Sequence, residues 1–100
     1  MTIYEDISEA IIDSLPLKEI RKVLRKSDLY PAYKGISTET IRRMAKKSSR
    51  LQVMDAVMRR LKRDEPQNAT YKEASKVADE MYNMAQRLFK EVLASKNSKK

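Results

Sequence analysis

The sequence contains no cysteine, no histidine and no tryptophan, and it has a single glycine. Without cysteine the chain can form no disulfide and no thiolate metal site. Without histidine it lacks the commonest general base and the serine- and cysteine-type catalytic triads. Since a glycine-rich phosphate loop is missing as well, we expect no enzyme, no catalytic residue, no metal site and no cofactor.

Long apolar runs are also missing. No stretch approaches the ~20 apolar residues that a membrane span needs, and the N-terminal residues are acidic rather than basic. We therefore expect a cytoplasmic protein that does not contact a membrane. The scarcity of glycine and proline excludes the many tight turns of a strand-rich fold. Because the apolar residues are mostly leucine, isoleucine, methionine and alanine, the composition predicts an all-α fold with one core.

The spacing of apolar residues predicts five helices. They cover residues 3–14, 16–26, 38–47, 50–63 and 70–94. Ser37 and Thr70 are expected to cap the third and last helices. Residues 27–36 are expected to be irregular, with Gly35 able to take a positive φ. Leu29, Tyr30 and Tyr33 are expected to anchor this segment to the core, and stacking of the tyrosines on bases is the alternative. The whole chain is predicted as a compact four-helix bundle (1–66) containing a helix-turn-helix with an extended turn, a long C-terminal amphipathic helix (67–95) and a disordered basic tail (96–100).

Two of these helices carry apolar stripes that we expect to face the core. The first stripe comprises Ile3, Ile7, Ile11 and Leu15, with Ala10 beside them. The second comprises Leu51, Met54, Val57, Met58 and Leu61. Because the second stripe is wide and its helix is long, we expect that helix to span the core.

The positive charge is concentrated in two consecutive helical segments. The net charge is +8 overall, while residues 16–26 and residues 37–50 each carry five bases against one acid. Residues 1–15 carry four acids and no base. Such clustering is typical of a nucleic-acid footprint, although a basic helix also serves solubility.

Residues 35–50, GISTETIRRMAKKSSR, place a turn glycine, an aliphatic residue and a serine cap ahead of a short basic helix. This segment resembles the second half of the helix-turn-helix of phage-repressor-like bacterial regulators, in which the helix has the form S-x-x-T-[IV]-x-R. The matching residues are Gly35, Ile36, Ser37, Thr40, Ile41 and Arg43. Residues 16–26 match loosely, and residues 27–36 replace the usual turn of about three or four residues. The resemblance implies sequence-specific binding of double-stranded DNA.

Helical geometry supports the same interpretation. At about 100° per residue, Ile41, Met44 and Ala45 share one side of the predicted third helix, and basic residues lie opposite. Arginine pairs with guanine in the major groove, and a carboxylate accepts from cytosine. The predicted base contacts are Glu39, Arg42, Arg43 and Lys46. The predicted phosphate contacts are Lys18, Lys22, Arg25, Lys26, Ser37, Thr38, Lys47 and Arg50. In a competing arrangement the fourth helix reads the bases through Arg50, Gln52, Asp55, Arg59 and Arg63.

The last predicted helix has apolar residues over roughly half of its circumference, more than the ~100° stripe of one core-facing surface. We therefore expect a homodimer whose interface contains Val77, Met81, Met84, Leu88 and Val92. The alternative is that this long helix packs along its own bundle. The leading function is a small transcriptional regulator of the phage or mobile-element type that binds DNA as this homodimer, with no small-molecule substrate. The alternative is a helical interaction or structural module whose basic face is solvated. An RNA- or single-strand-binding module is disfavoured by the few aromatic residues.

Overall fold

A computed structural model describes residues 9–97, and over that range the backbone is helical and contains no strand. The helices are α1 (residues 9–14), α2 (Leu17–Lys26), α3 (Tyr30–Tyr33), α4 (Thr38–Met44), α5 (Arg50–Asp64) and α6 (Tyr71–Asn97). The predicted all-α class and the long C-terminal helix are confirmed. Within the described range, no helix combines the length and the apolar character needed to cross a bilayer.

Side-chain caps mark the N-terminal ends of two helices. The Ser37 hydroxyl accepts a hydrogen bond from the Thr40 amide at 3.2 Å and so caps α4. The Thr70 hydroxyl accepts from the Glu73 amide at 3.2 Å and caps α6. Both bonds satisfy amides that a helix leaves without a partner in its first turn. Helix α4 ends at Met44, before its predicted end at residue 47, and a 3-10 turn follows at Lys47–Ser49. Helix α6 continues to Asn97, beyond its predicted end at residue 94.

The segment between α2 and α4 was predicted to be irregular, but it contains the single turn of α3. Pro31 lies in the first turn of this helix, where its missing N–H is not needed. Leu29 and Tyr33 are buried, and the Tyr33 hydroxyl donates to the Met81 carbonyl at 3.1 Å. Gly35 has a φ of 86°, as predicted. The segment is therefore anchored to α6 by a tyrosine and turned toward α4 by a glycine.

The apolar stripe predicted for the first helix is wrong over the described residues. Ile12 and Leu15 are buried, each 2% exposed, whereas Ile11 is 39% exposed and Ala10 is exposed as well. Residues three apart share a helix face, so Ile12 and Leu15 contact the core together and turn Ile11 outward. Ile3 and Ile7 lie outside the described residues.

Helix α6 uses its wide apolar surface against two successive groups of helices. Ala74 and Ala78 are fully buried where α5 packs on the first half of α6, and their small side chains let the two helices approach closely. Leu88 and Val92, both 0% exposed, lie in the second half among residues of α1, α2 and α4. The chain's own helices therefore cover Leu88 and Val92 of the predicted dimer surface completely, and its other three residues only in part.

Helix α5 lies at the edge of the molecule, and the prediction that it spans the core is wrong. Its buried residues, Met54 and Val57, are absent from the main core cluster, and Leu51 is 74% exposed. The helix packs mainly along α6 and has few contacts with α4. An open groove therefore remains between α5 and the rest of the bundle.

Candidate nucleic-acid interface

Five cations project from the side of α2 that faces away from the core. They are Lys18, Arg21, Lys22, Arg25 and Lys26, and all five are exposed; we call them the cationic face of α2. The opposite side of α2 carries Ile20 and Leu24, which are 0% and 4% exposed. This arrangement follows from a helical period of about 3.6 residues. Together with Leu17 and Thr38, the five cations line a cleft of about 660 Å³.

No carboxylate neutralises this cationic face in the part of the chain that the structure describes. None of the five cations forms an ion pair with a residue of the 9–97 range. The one acid of α2, Glu19, is half-buried at the flank of the face. Five like charges on one surface produce a local field that attracts a polyanion. Sequence analysis assigned four of these residues to phosphate contacts and missed Arg21, although the same helical period identifies it.

The core-facing side of α4 agrees with the prediction. Ile41 and Ala45 are 0% and 1% exposed, and Met44 is 8% exposed. Thr38, a predicted phosphate contact, is itself 5% exposed and borders the cleft of the cationic face. Ser37 is exposed, with its hydroxyl engaged in the α4 cap. The N-terminal end of α4 therefore lies beside the cationic face of α2.

Arg42, a predicted base contact, makes internal contacts. Its guanidinium donates to the Leu15 carbonyl at the end of α1 and to the Glu39 carboxylate at 3.3 Å. The side chain is 14% exposed, and its buried Nε has no hydrogen-bond partner among the residues that the structure describes. Its long stem and charged head join α4 to α1. Arg42 therefore positions α4 and does not present its guanidinium to solvent.

Two further cations of the predicted DNA surface form ion pairs between helices. Lys46 pairs with Asp13 of α1, and its side chain is 21% exposed. Arg50 pairs with Asp79 of α6. Lys47 is exposed in the 3-10 turn that follows α4. Of the four predicted base contacts, Arg42 and Lys46 are engaged within the chain, Glu39 is exposed but pairs with Arg42, and Arg43 is exposed with no ion pair to a described residue.

The competing reader, α5, carries cations that are largely paired with its own carboxylates. Arg59 lies 2.5 Å from Asp55, and Arg63 and Arg60 lie 3.1 and 3.6 Å from Asp64. The hydrogen bond from Arg59 lowers the pKa of Asp55, and the one from Arg63 lowers the pKa of Asp64. These pairs are exposed and contribute little to stability. They reduce the positive field of α5 relative to that of α2. Gln52, another residue of the competing arrangement, lines the groove.

The residues predicted to form a dimer interface lie in different environments. Leu88 and Val92 are 0% exposed within one chain, so a second copy cannot reach them in this fold. Val77, Met81 and Met84 are half-buried, and the first two line the groove beside α5. A dimer contact on α6 is therefore restricted to the half-buried residues or to its polar side.

Among the described residues, no group of acidic side chains is arranged to hold a metal ion. Comparisons of the chain with protein-family models, with curated proteins and with solved structures found no match.

Proposed function

We propose that this protein binds double-stranded DNA, with the cationic face of α2 holding the phosphate backbone. The observation that carries the proposal is the presence of five exposed cations on one helix face with no ion pair to a described residue. Each cation that meets a phosphate releases condensed counterions, and this entropy gain is a major source of affinity for duplex DNA. Cations already paired with carboxylates, such as those of α5, contribute less.

The exposed side of α4 is the proposed base-reading element. Arg43 and Glu39 are exposed there, and α4 lies directly beside the cationic face of α2. An arginine that reads guanine contributes about 1–3 kcal/mol of discrimination against the wrong base. In this arrangement the ion pair of Lys46 with Asp13 joins the end of α4 to α1, and the ion pair of Arg50 with Asp79 joins α5 to α6. The resemblance of residues 35–50 to helix-turn-helix regulators supports the same role.

The proposal includes the role of a small transcriptional regulator of the phage or mobile-element type, because such a role requires sequence-specific DNA binding. The proposed active form is a homodimer, because two copies related by a twofold axis read two half-sites of a near-palindrome. Its contact surface excludes Leu88 and Val92, which the core of one chain occupies. Light scattering on the free protein and on its DNA complex tests the stoichiometry.

Fluorescence anisotropy with a labelled random-sequence duplex, measured over a range of salt concentrations, tests the DNA-binding surface. The test variant is K18Q/K22Q/K26Q, which removes three lysines from the cationic face of α2. The control variant is K72Q/K76Q/K90Q, which removes three exposed lysines from α6. Both variants change the net charge equally, and glutamine has nearly the helix propensity of lysine.

The K18Q/K22Q/K26Q variant is expected to bind weakly, with a salt slope smaller by about 0.9 for each phosphate contact that is lost. The control is expected to retain the slope of the parent protein. Equal losses in both variants would mean that net charge alone drives binding and that α2 is not the interface. Absence of salt-sensitive binding in the parent would reject the proposal altogether.

Base reading is tested separately with Arg43→Ala. Arg42 is unsuitable for this purpose because its removal also breaks contacts within the fold. Once a preferred duplex has been selected from a random library, Arg43→Ala is expected to reduce the preference for that duplex over a random one. The affinity of this variant for random DNA should fall by no more than the loss of one phosphate contact would cause. An unchanged preference would show that α4 does not read the bases.

A further inference from the structure

The groove between α5 and the remainder of the bundle has an apolar floor. Its volume is about 540 Å³. Ile36 and Met44 border it on one side, Val53 and Val57 of α5 on the other, and Met81 of α6 at the base. Only Met44 and Val57 are buried, so apolar side chains of all three walls remain accessible. The groove therefore presents accessible apolar side chains from both of its sides and from α6.

The rim of this groove is positively charged on both sides. Lys34 and Arg43 lie on the bundle side, and Arg60 lies on the α5 side. The described residues that line the groove include no aspartate or glutamate. Arg60 has a carboxylate partner, Asp64, at 3.6 Å, whereas Lys34 and Arg43 form no ion pair within the described range. An occupant with an apolar stripe between two rows of carboxylates would match both the floor and the rim.

We propose that this groove binds an acidic amphipathic helix of a partner protein. The lining residues of α5 run from Gln52 to Leu61, a distance of about 14 Å at about 1.5 Å per residue. A helix that presents apolar anchors at positions i, i+3 or i+4 and i+7 covers a similar length. Half of the lining residues are exposed, so the groove is open along its sides. That openness suits a helix lying across it better than a small ligand, which a site usually encloses by about 70–90%.

The groove shares Arg43 with the proposed base-reading surface of α4. A bound acidic helix would place carboxylates beside Arg43 and compete with DNA for it. The inference goes beyond the proposed DNA-binding function and can stand without it, because the groove and its rim are defined by the apolar floor and three cations alone.

The test uses the full chain and a labelled model peptide of about 15 residues. This peptide carries leucines at helical i, i+3/i+4 and i+7 positions and glutamates at most other positions. A second peptide has every glutamate replaced by lysine, and a third has the same composition as the first in scrambled order. The protein variant Ala56→Glu introduces a carboxylate at an exposed position in the groove wall. Ala94→Glu is the matched control, an exposed position of α6 that does not line the groove.

The acidic peptide is expected to bind the parent protein and the Ala94→Glu control with equal affinity. Ala56→Glu is expected to weaken binding at least about tenfold, because it places like charges opposite each other in the occupied groove. Circular dichroism confirms that both variants keep their helicity. Equal binding of the lysine peptide or the scrambled peptide would overturn the proposal, as would an unaffected Ala56→Glu variant.

Light scattering provides the remaining outcome. If the parent protein is a dimer that Ala56→Glu converts to a monomer, a second copy of the chain occupies the groove, and the inference of an acidic helical partner is wrong. If the oligomeric state is the same in both variants while peptide binding differs, the inference is supported.

Discussion

Replacing Arg42 by alanine is expected to destabilise the fold, whatever its effect on DNA binding. The guanidinium bridges two helices, donating to the Leu15 carbonyl of α1 and to Glu39 of α4. Leu15 is 2% exposed, and its carbonyl lies at the end of a helix, where intrahelical donors are missing. The alanine variant therefore removes a charged donor from a partly buried acceptor and removes the side-chain stem that lies between the helices.

The size of the effect follows from three contributions. A hydrogen bond from a charged group contributes about 1.5–3 kcal/mol. Burial of the arginine stem adds about 0.8 kcal/mol for each buried CH₂ group. The Nε atom is buried without a partner, which costs about 1–3 kcal/mol and offsets part of the gain. We expect a net loss of about 2 kcal/mol for Arg42→Ala, equivalent to a fall in Tm of about 8–16 °C for a domain of this size.

Urea denaturation followed by circular dichroism measures this loss. Arg43→Ala is the matched control, since Arg43 is adjacent and exposed, and it should change the free energy of unfolding by less than about 0.5 kcal/mol. Arg42→Met keeps an apolar stem and removes the unpartnered Nε, so it should be less destabilised than Arg42→Ala. Equal stability of the Arg42→Ala and Arg43→Ala variants would refute the structural role of Arg42.

Four other substitutions test the packing of the fold. Gly35→Ala should cost about 1–2 kcal/mol by urea denaturation, because its φ of 86° disfavours any Cβ although open space surrounds the site; an unchanged stability would contradict the turn geometry. Tyr33→Phe should cost about 1 kcal/mol through loss of the bond to the Met81 carbonyl. Burial raises the pKa of Tyr33 well above its ordinary 10.0. The neutral phenol therefore makes its full contribution to the free energy of unfolding below pH 10.0, and this contribution declines as the pH rises further. A phenolate absorbance from Tyr33 before the chain unfolds would contradict this. Leu88→Ala should cost about 2–5 kcal/mol, whereas Leu51→Ala, at a site 74% exposed, should be nearly neutral by thermal denaturation, and similar values for the two would contradict the position of the core.

The helices and their caps were largely predictable. Ser37 and Thr70 cap α4 and α6 as expected, and the bounds of α2 agree with the apolar spacing and Pro16. A cap involves residues within one turn of each other, and a helical period repeats every few residues. Such signals are complete within a short stretch of sequence. The one turn of α3 was missed because four residues are too few for a periodic pattern.

The candidate site was predicted only in part, because its cations differ in their distant neighbours. Arg42 and Lys46 lie among the basic residues of one segment with Arg43, and nothing local distinguishes the three. Arg42 and Lys46 are engaged because they contact Leu15 and Asp13, which lie beside α4 only when α1 packs on the bundle. The same limit applies to Leu88. Its apolar character is evident from the sequence, but whether it packs in the core of its own chain or against a second copy is not.

The sequence by itself therefore determined the all-α class, the positions of the main helices and the concentration of positive charge on α2 and on residues 37–50. These properties depend on composition and on contacts between residues close in the chain. The tertiary structure alone decided which cations remain unpaired, which apolar side of α1 is buried and where a groove is left beside α5. Those outcomes depend on helix packing, which brings together residues that are far apart in the sequence. Packing pairs some charges and buries some apolar surfaces, and it leaves others exposed.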